Sequence, residues 1–164
     1  VAWKVALDRK DGPTCLMLSR QNLPVLDRTD LASAEGLAKG AYVLWQRDPA
    51  KAPDAILIAS GSEVALALET VQADARNLRV VSMPSWFLFA QQDEAYRNEV
   101  LPPAVTKRVA VEAASSFGWE RYIGAEGRVL GMTGWGASGP AGKLAEHFGF
   151  TPAHLAALLN DYLA

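Results

Sequence analysis

Residues 55–71 read AILIASGSEVALALETV. The first five are a continuous apolar run of strand length, and Ser60-Gly61-Ser62 closes it as a turn. Beyond the turn the rhythm changes. Val64, Leu68 and Val71 fall at i, i+4 and i+7, the spacing that puts apolar side chains on one face of a helix. Ser62 is placed to cap that helix, and Glu63 suits the positive end of its dipole. A buried strand running through a short turn into an amphipathic helix is half of a βαβ unit.

Reading outward, the same alternation continues. Residues 42–46 (YVLWQ), 78–83 (LRVVSM), 108–113 (RVAVEA) and 128–132 (RVLGM) read as further strands. Helical patterns occupy 86–100, 119–123 and 140–148, the last with Leu144, Ala145 and Phe148 on one face. Thr151-Pro152 opens a final helix that turns Leu155, Leu158, Leu159 and Tyr162 inward. Short apolar strands alternating with helices predict an α/β fold: three layers, with a mostly parallel five-stranded sheet covered by helices on both faces. Strand 42–46 reaches strand 55–59 through a loop too short for a helix. It is therefore expected at an edge or antiparallel to its neighbour.

Upstream of this unit the pattern differs. Residues 14–19 (TCLMLS) come after the turn chemistry of Asp11-Gly12-Pro13 and read as a buried strand, with Cys15 as an inert core thiol. From Gln21 to about Gly36 the periodicity dissolves, and such a stretch between ordered elements reads as a linker. The expected division is 1–22 as the end of a preceding domain, 23–38 as linker and 39–164 as a complete α/β domain. The chain of 164 residues starts Val1-Ala2-Trp3 without Met, which fits an expectation that it is part of a longer protein. Sixteen Lys and Arg against eighteen Asp and Glu leave a net charge of −2 and no basic stripe, so nucleic acid is not an expected partner. One cysteine cannot close an internal disulfide. No apolar run approaches the ~18 residues of a membrane span, and a secretory leader pattern is missing.

Several motifs invite a functional reading. Gly134-Trp135-Gly136-Ala137-Ser138-Gly139 spells G-x-G-x-x-G after a strand. A dinucleotide site would also need a further parallel strand and an acid at its end, whereas Asp161 lies in a terminal helix. A tight strand-to-helix turn is the stronger reading. Ser60-Gly61-Ser62 could hold an anion at a helix start, but Glu63 would repel it. His147 and His154 lack partners at metal-ligand spacing and read as polar helix residues. Glu112 ends a strand at the edge where α/β sites gather, and a pairing or capping role outweighs a catalytic one. Arg20, directly after strand 13–19 and beside Gln21 and Asn22, could present its fork to a phosphate; by composition this weighs no more than an exposed arginine at a domain edge.

The residues DGPTCLMLSRQNLP at 11–24 resemble the end of the pyrimidine-binding domain of the transketolase family, which reads D-G-P-T-x-L-x-L-S-R-Q-N-L. IASGSEV at 58–64, VVSMPS at 80–85, RVAVEA at 108–113 and GMTGWGASGPAGKLAEHFGF at 131–150 resemble successive blocks of that family's C-terminal domain. The resemblance implies an enzyme of pentose phosphate metabolism that is cytoplasmic and homodimeric. It implies thiamine diphosphate with a divalent metal, Mg or Ca, and transfer of a two-carbon ketol unit from a ketose phosphate to an aldose phosphate. It further implies that Arg20 binds the terminal phosphate of the sugar. The family's cofactor and metal ligands and its catalytic histidines lie upstream of these blocks. No catalytic, cofactor or metal residue is therefore expected within residues 1–164, and neither His147 nor His154 inherits a role. The expectation is that this stretch alone is inactive, with its upstream domains as partners and a structural, dimer-supporting role. The rival reading is a regulatory module that binds a nucleotide or small anion at 134–139 or 60–62.

Overall fold

A computed structural model describes residues 1–164. Five strands form one sheet: β1 (Tyr42–Gln46), β2 (Ala55–Ala59), β3 (Leu78–Ser82), β4 (Arg108–Ser115) and β5 (Arg128–Met132), in the order β1-β3-β2-β4-β5. β2 is the centre. It pairs in parallel with β3 (Leu57 opposite Val80) and with β4 (Leu57 opposite Val109), and β4 pairs in parallel with β5. β1 lies at the edge and runs antiparallel to β3, as expected of a strand reached without a crossover helix.

The pleat separates the side chains into two cores. Ala55, Leu57 and Ala59 of β2 face α2 (Glu63–Ala73) and the C-terminal helix (Pro152–Tyr162), whose Leu155, Leu159 and Tyr162 complete that layer. Ile56 and Ile58 face the other way, onto Phe89, Val100, Leu101, Trp119, Tyr122 and Ile123. All five residues of β2 are fully buried, because a central parallel strand has helices on both faces. Truncating Leu57 there would remove transfer energy and leave a cavity, at a cost of about 2–5 kcal/mol.

The remaining helices form on local signals. α1 covers Ala2–Asp8, a helix the sequence pattern did not reveal, and none of its residues is buried. The pattern at 86–100 predicts one helix, but the chain makes two, α3 (Trp86–Ala90) and α4 (Glu94–Val100). Asp93 restarts the helix by accepting from the Tyr96 amide at 2.7 Å, an N-cap that outcompetes continuation. α5 (Glu120–Ile123), α6 (Ala141–Phe148) and α7 (Pro152–Tyr162) stand where expected, and Thr151 caps α7 through the His154 amide. Ser33 caps a 3-10 helix at Ala34–Lys39. Gly40 after it has φ +86° and packs so closely on α3 that a Cβ would sit 2.2 Å from the Phe89 nitrogen.

The largest departure is at 13–19. These residues are extended but belong to no strand, and Met17 and Leu18 are 92% and 73% exposed. Cys15 is exposed too, so it is no core thiol here. A strand is stable only against a neighbour that completes its ladder, and the sheet offers none to this segment. The next stretch is irregular, yet it touches the domain. Leu26 and Leu31 pack on the α2/α7 core, and the Ala32 amide donates to the Leu44 carbonyl on the free edge of β1.

Candidate functional site

The parallel strands β2, β3 and β4 end together, and the register shows what they bring there. Ala59 lies opposite Ser82 on β3 and opposite Val111 on β4. The next residues on β2 and β4, Ser60 and Glu112, are therefore neighbours. The Ser60 hydroxyl donates to Glu112 Oε2 at 2.7 Å. Burial pushes the Glu112 carboxyl above its ordinary range; the Ser60 hydrogen bond opposes this, and the charge of Glu63 adds to it. The bond ties two strands across the carboxyl edge, which supports the pairing role expected of Glu112. No histidine or nucleophilic thiol stands beside it: His147 and His154 are exposed on α6 and at the start of α7, and Cys15 is exposed near the N-terminus.

The turn into α2 is built differently from the expectation. Ser62 occupies the cap position but has helical angles, φ −65° and ψ −31°, and does not accept from the helix. Its hydroxyl donates to Glu63 Oε1 at 2.7 Å. Glu63 is itself buried at the helix start, so the positive end of α2 is already matched by a carboxylate. This turn is not arranged for an anion.

Arg20 comes to the same edge. Ser19 Oγ lies 3.8 Å from the position a Cβ on Gly61 would take, so the Ser19-Arg20 step passes over the Ser60-Gly61-Ser62 turn. Arg20 itself is exposed. Just beyond it, Leu23, Pro24, Val25 and Arg28 face Gly61, Ser62 and Ala65 across a shallow groove of about 480 Å³. Sequence order separates these groups widely; Ser60 and Glu112 were each legible as strand ends, and the strand register brings them together.

Gly134–Gly139 does not form the tight turn expected of it. Residues 133–140 make an exposed loop between β5 and α6, none of its glycines has a positive φ, and α6 begins only at Ala141. A dinucleotide fingerprint works by holding backbone amides at a helix start directly after a strand, and that geometry is not present. Nor does any group of three or more His, Cys, Asp or Glu gather in a way that could hold a metal ion. The residues of this chain thus supply no such ligand set for the divalent metal that the resemblance implies for the family.

The same fold recurs in known proteins. The Transketolase-like TK C-terminal domain matches residues 40–151. A transketolase of Geobacillus stearothermophilus is 50% identical over 155 residues, covering 92% of this chain and 23% of that protein. A transketolase from Leishmania mexicana superposes with a TM-score of 0.87 at 41% identity, over 99% of this chain and 23% of that one. A Pichia stipitis transketolase in complex with sedoheptulose-7-phosphate gives 0.86 at 36% identity, again over 99% of this chain and 23% of that one. The chain spans about a quarter of the length of these relatives. With its sheet order, its edge strand and its helices matched to solved transketolases, the chain belongs to the transketolase family, whose C-terminal domain it carries.

Proposed function

We propose that this chain is the C-terminal part of a transketolase that transfers a two-carbon ketol unit from a ketose phosphate to an aldose phosphate. Residues 1–22 are the end of the pyrimidine-binding domain, 23–38 the linker and 39–164 the C-terminal α/β domain. The similarity to the Geobacillus protein supports a piece longer than the C-terminal domain alone, since its 155 residues exceed the stretch 40–151 that the C-terminal domain family matches. In the intact enzyme, thiamine diphosphate and a divalent metal, Mg or Ca, supply the carbanion chemistry from upstream domains. The enzyme is a cytoplasmic homodimer. No helix here is long and apolar enough to cross a membrane.

The contribution of this stretch to the reaction is binding. Arg20 grips the terminal phosphate of the sugar bidentately. A phosphate remote from the bond being broken serves to position the substrate and does not enter the chemistry. One observation carries the assignment. Ser19 packs over the Gly61 turn and leaves Arg20 exposed at the carboxyl edge, with no carboxylate paired to it, so its fork is free for an anion. A sugar phosphate is bound by the Pichia relative. In the full-length enzyme, Arg20→Ala is expected to raise KM for phosphorylated sugars at least tenfold, about 1.4 kcal/mol, with a smaller change in kcat. An unchanged KM removes Arg20 from the substrate site. Residues 1–164 alone are expected to show no ketol transfer and no heat of binding with thiamine diphosphate and Mg²⁺. A micromolar affinity in calorimetry would overturn that.

A further inference from the structure

Away from the carboxyl edge, near the start of β4, the surface holds a cleft of about 270 Å³ lined by Phe89, Ala90, Asn98, Leu101 and Tyr122 and by three arginines, Arg97, Arg108 and Arg121. None of its lining residues is an acid. Glu94 and Glu120 are close in sequence to Arg97 and Arg121, yet none of the ion pairs in the structure involves Arg97, Arg108 or Arg121. In a protein of net charge −2, three guanidinium groups converging without a carboxylate are an uncompensated concentration of positive charge.

The arginines do different things. Arg108 is anchored: its donors reach the carbonyls of Val105 at 2.9 Å, Tyr122 at 2.6 Å, Leu101 at 3.1 Å and Pro102 at 2.8 Å. It ties the loop before β4 to α5 and supplies a fixed charge to the cleft wall. Arg97 makes one bond, to the Ala90 carbonyl at 3.2 Å, and Arg121 makes none, its guanidinium carbon 5.9 Å from the centre of the Tyr122 ring. Most of the donors on these two are thus unused. Tyr122 forms part of the cleft wall. Its residue is 7% exposed, and its hydroxyl is the buried side-chain polar atom that finds no partner anywhere in the structure. A buried hydroxyl without a partner costs about 1–3 kcal/mol.

We propose that this cleft is a binding site for a small phosphate-bearing anion, held by Arg97 and Arg121 against the fixed charge of Arg108 with Tyr122 beneath. The volume falls just short of the ~300 Å³ at which drug-sized pockets begin, so the ligand is inorganic phosphate or a compact phosphate monoester and not a dinucleotide. Two planar forks with free N–H groups can engage several oxygens of one phosphate at once, where a single carboxylate offers two. Affinity should fall with added salt, since two of the three arginines work near the solvent.

The test is titration of the 164-residue chain at low ionic strength with inorganic phosphate, with ribose 5-phosphate and with ATP, read by ³¹P line broadening and calorimetry. Saturable binding of phosphate or of ribose 5-phosphate is expected; which of the two binds more tightly identifies the source of the phosphate. The double variant Arg97→Ala/Arg121→Ala should weaken it about tenfold or more, while Arg20→Ala leaves it unchanged. Arg121→Lys, which keeps the charge and loses the fork, should fall between. Far-UV spectra of the variants should match the parent and thermal profiles should differ little, because the two side chains together make one hydrogen bond, from Arg97 to the exposed Ala90 carbonyl region. Absence of saturable binding, binding that survives the double variant, or binding that disappears with Arg20→Ala would each overturn the proposal. Tight binding of ATP with none of the smaller phosphates would do the same.

Discussion

Two segments of this chain have the same apolar character and opposite fates. Ala55–Ala59 is fully buried and bonded on both sides, to β3 and β4. Cys15–Leu18 is about as apolar, yet Met17 and Leu18 are largely exposed, and no backbone–backbone hydrogen bond involves residues 10–31. The difference is in what lies alongside. β2 has a neighbour on each edge and a helix layer on each face, whereas residues 13–19 have neither. Hydropathy states that a segment can be buried; only the rest of the fold states against what. In the proposed intact enzyme residues 13–19 find their sheet in the pyrimidine-binding domain, of which they are the final strand.

That contrast can be broken by mutation, and the largest effect should come from its buried half. Leu57→Ala should lower the unfolding free energy by about 2–5 kcal/mol in a urea titration, with the m-value unchanged. A loss below about 1 kcal/mol would mean that the centre of the sheet is not packed as described. Next comes Arg108, the anchor whose guanidinium serves carbonyls on both sides of β4. Burial, without a carboxylate in contact, lowers its pKa, and Arg108→Met should cost about 2–3 kcal/mol by leaving those carbonyls unpaired.

A smaller effect belongs to the carboxyl edge. Because burial raises the pKa of Glu112 in the folded protein, the folded chain binds a proton there more tightly than the unfolded chain does. The contribution of Glu112 is therefore most favourable below its ordinary pKa and is lost as pH rises through the raised one. Glu112→Gln keeps an acceptor for Ser60 and removes that slope. Its stability relative to the parent should improve from pH 4 to pH 7, as read from paired thermal melts. A relative stability that declines over the same range would contradict the burial of this carboxyl. The smallest effect should come from the leading segment. Leu18→Ser should move the stability of this chain by less than about 0.5 kcal/mol. The same substitution in the full-length enzyme should cost about 2 kcal/mol or more, as for a core leucine.

Much of the fold was legible because its strands are short, apolar and separated by helical periods. β1 through β5 stand where those runs stand, and the loop between β1 and β2 announced an edge strand. The main departures turn on structure that a local window does not contain. Residues 13–19 carry the right pattern but no partner. Residues 133–140 spell a dinucleotide turn, but the helix after them starts too late to make one. The break between α3 and α4 did have a local signal, since Asp93 is a recognisable cap. Of the site, Glu112 and Ser60 were each visible as strand ends, and the sheet register joined them. Arg20 drew its role from the family resemblance alone. The arginine cleft was not legible at all, because α4, β4 and α5 each contribute a single arginine.

In the proposed division, residues 1–22 are the edge of another domain's structure, attached to a C-terminal α/β domain that folds around its own sheet. Native-state hydrogen exchange, read residue by residue in this chain and in the full-length enzyme, tests it most directly. In this chain the amides of residues 13–19 should exchange at the rate of an unfolded peptide, while those of Ile56–Ala59 exchange only on global unfolding. In the full-length enzyme both segments should be protected to a similar degree. Strong protection of residues 13–19 in the 164-residue chain, or none in the full-length enzyme, would rule out that division.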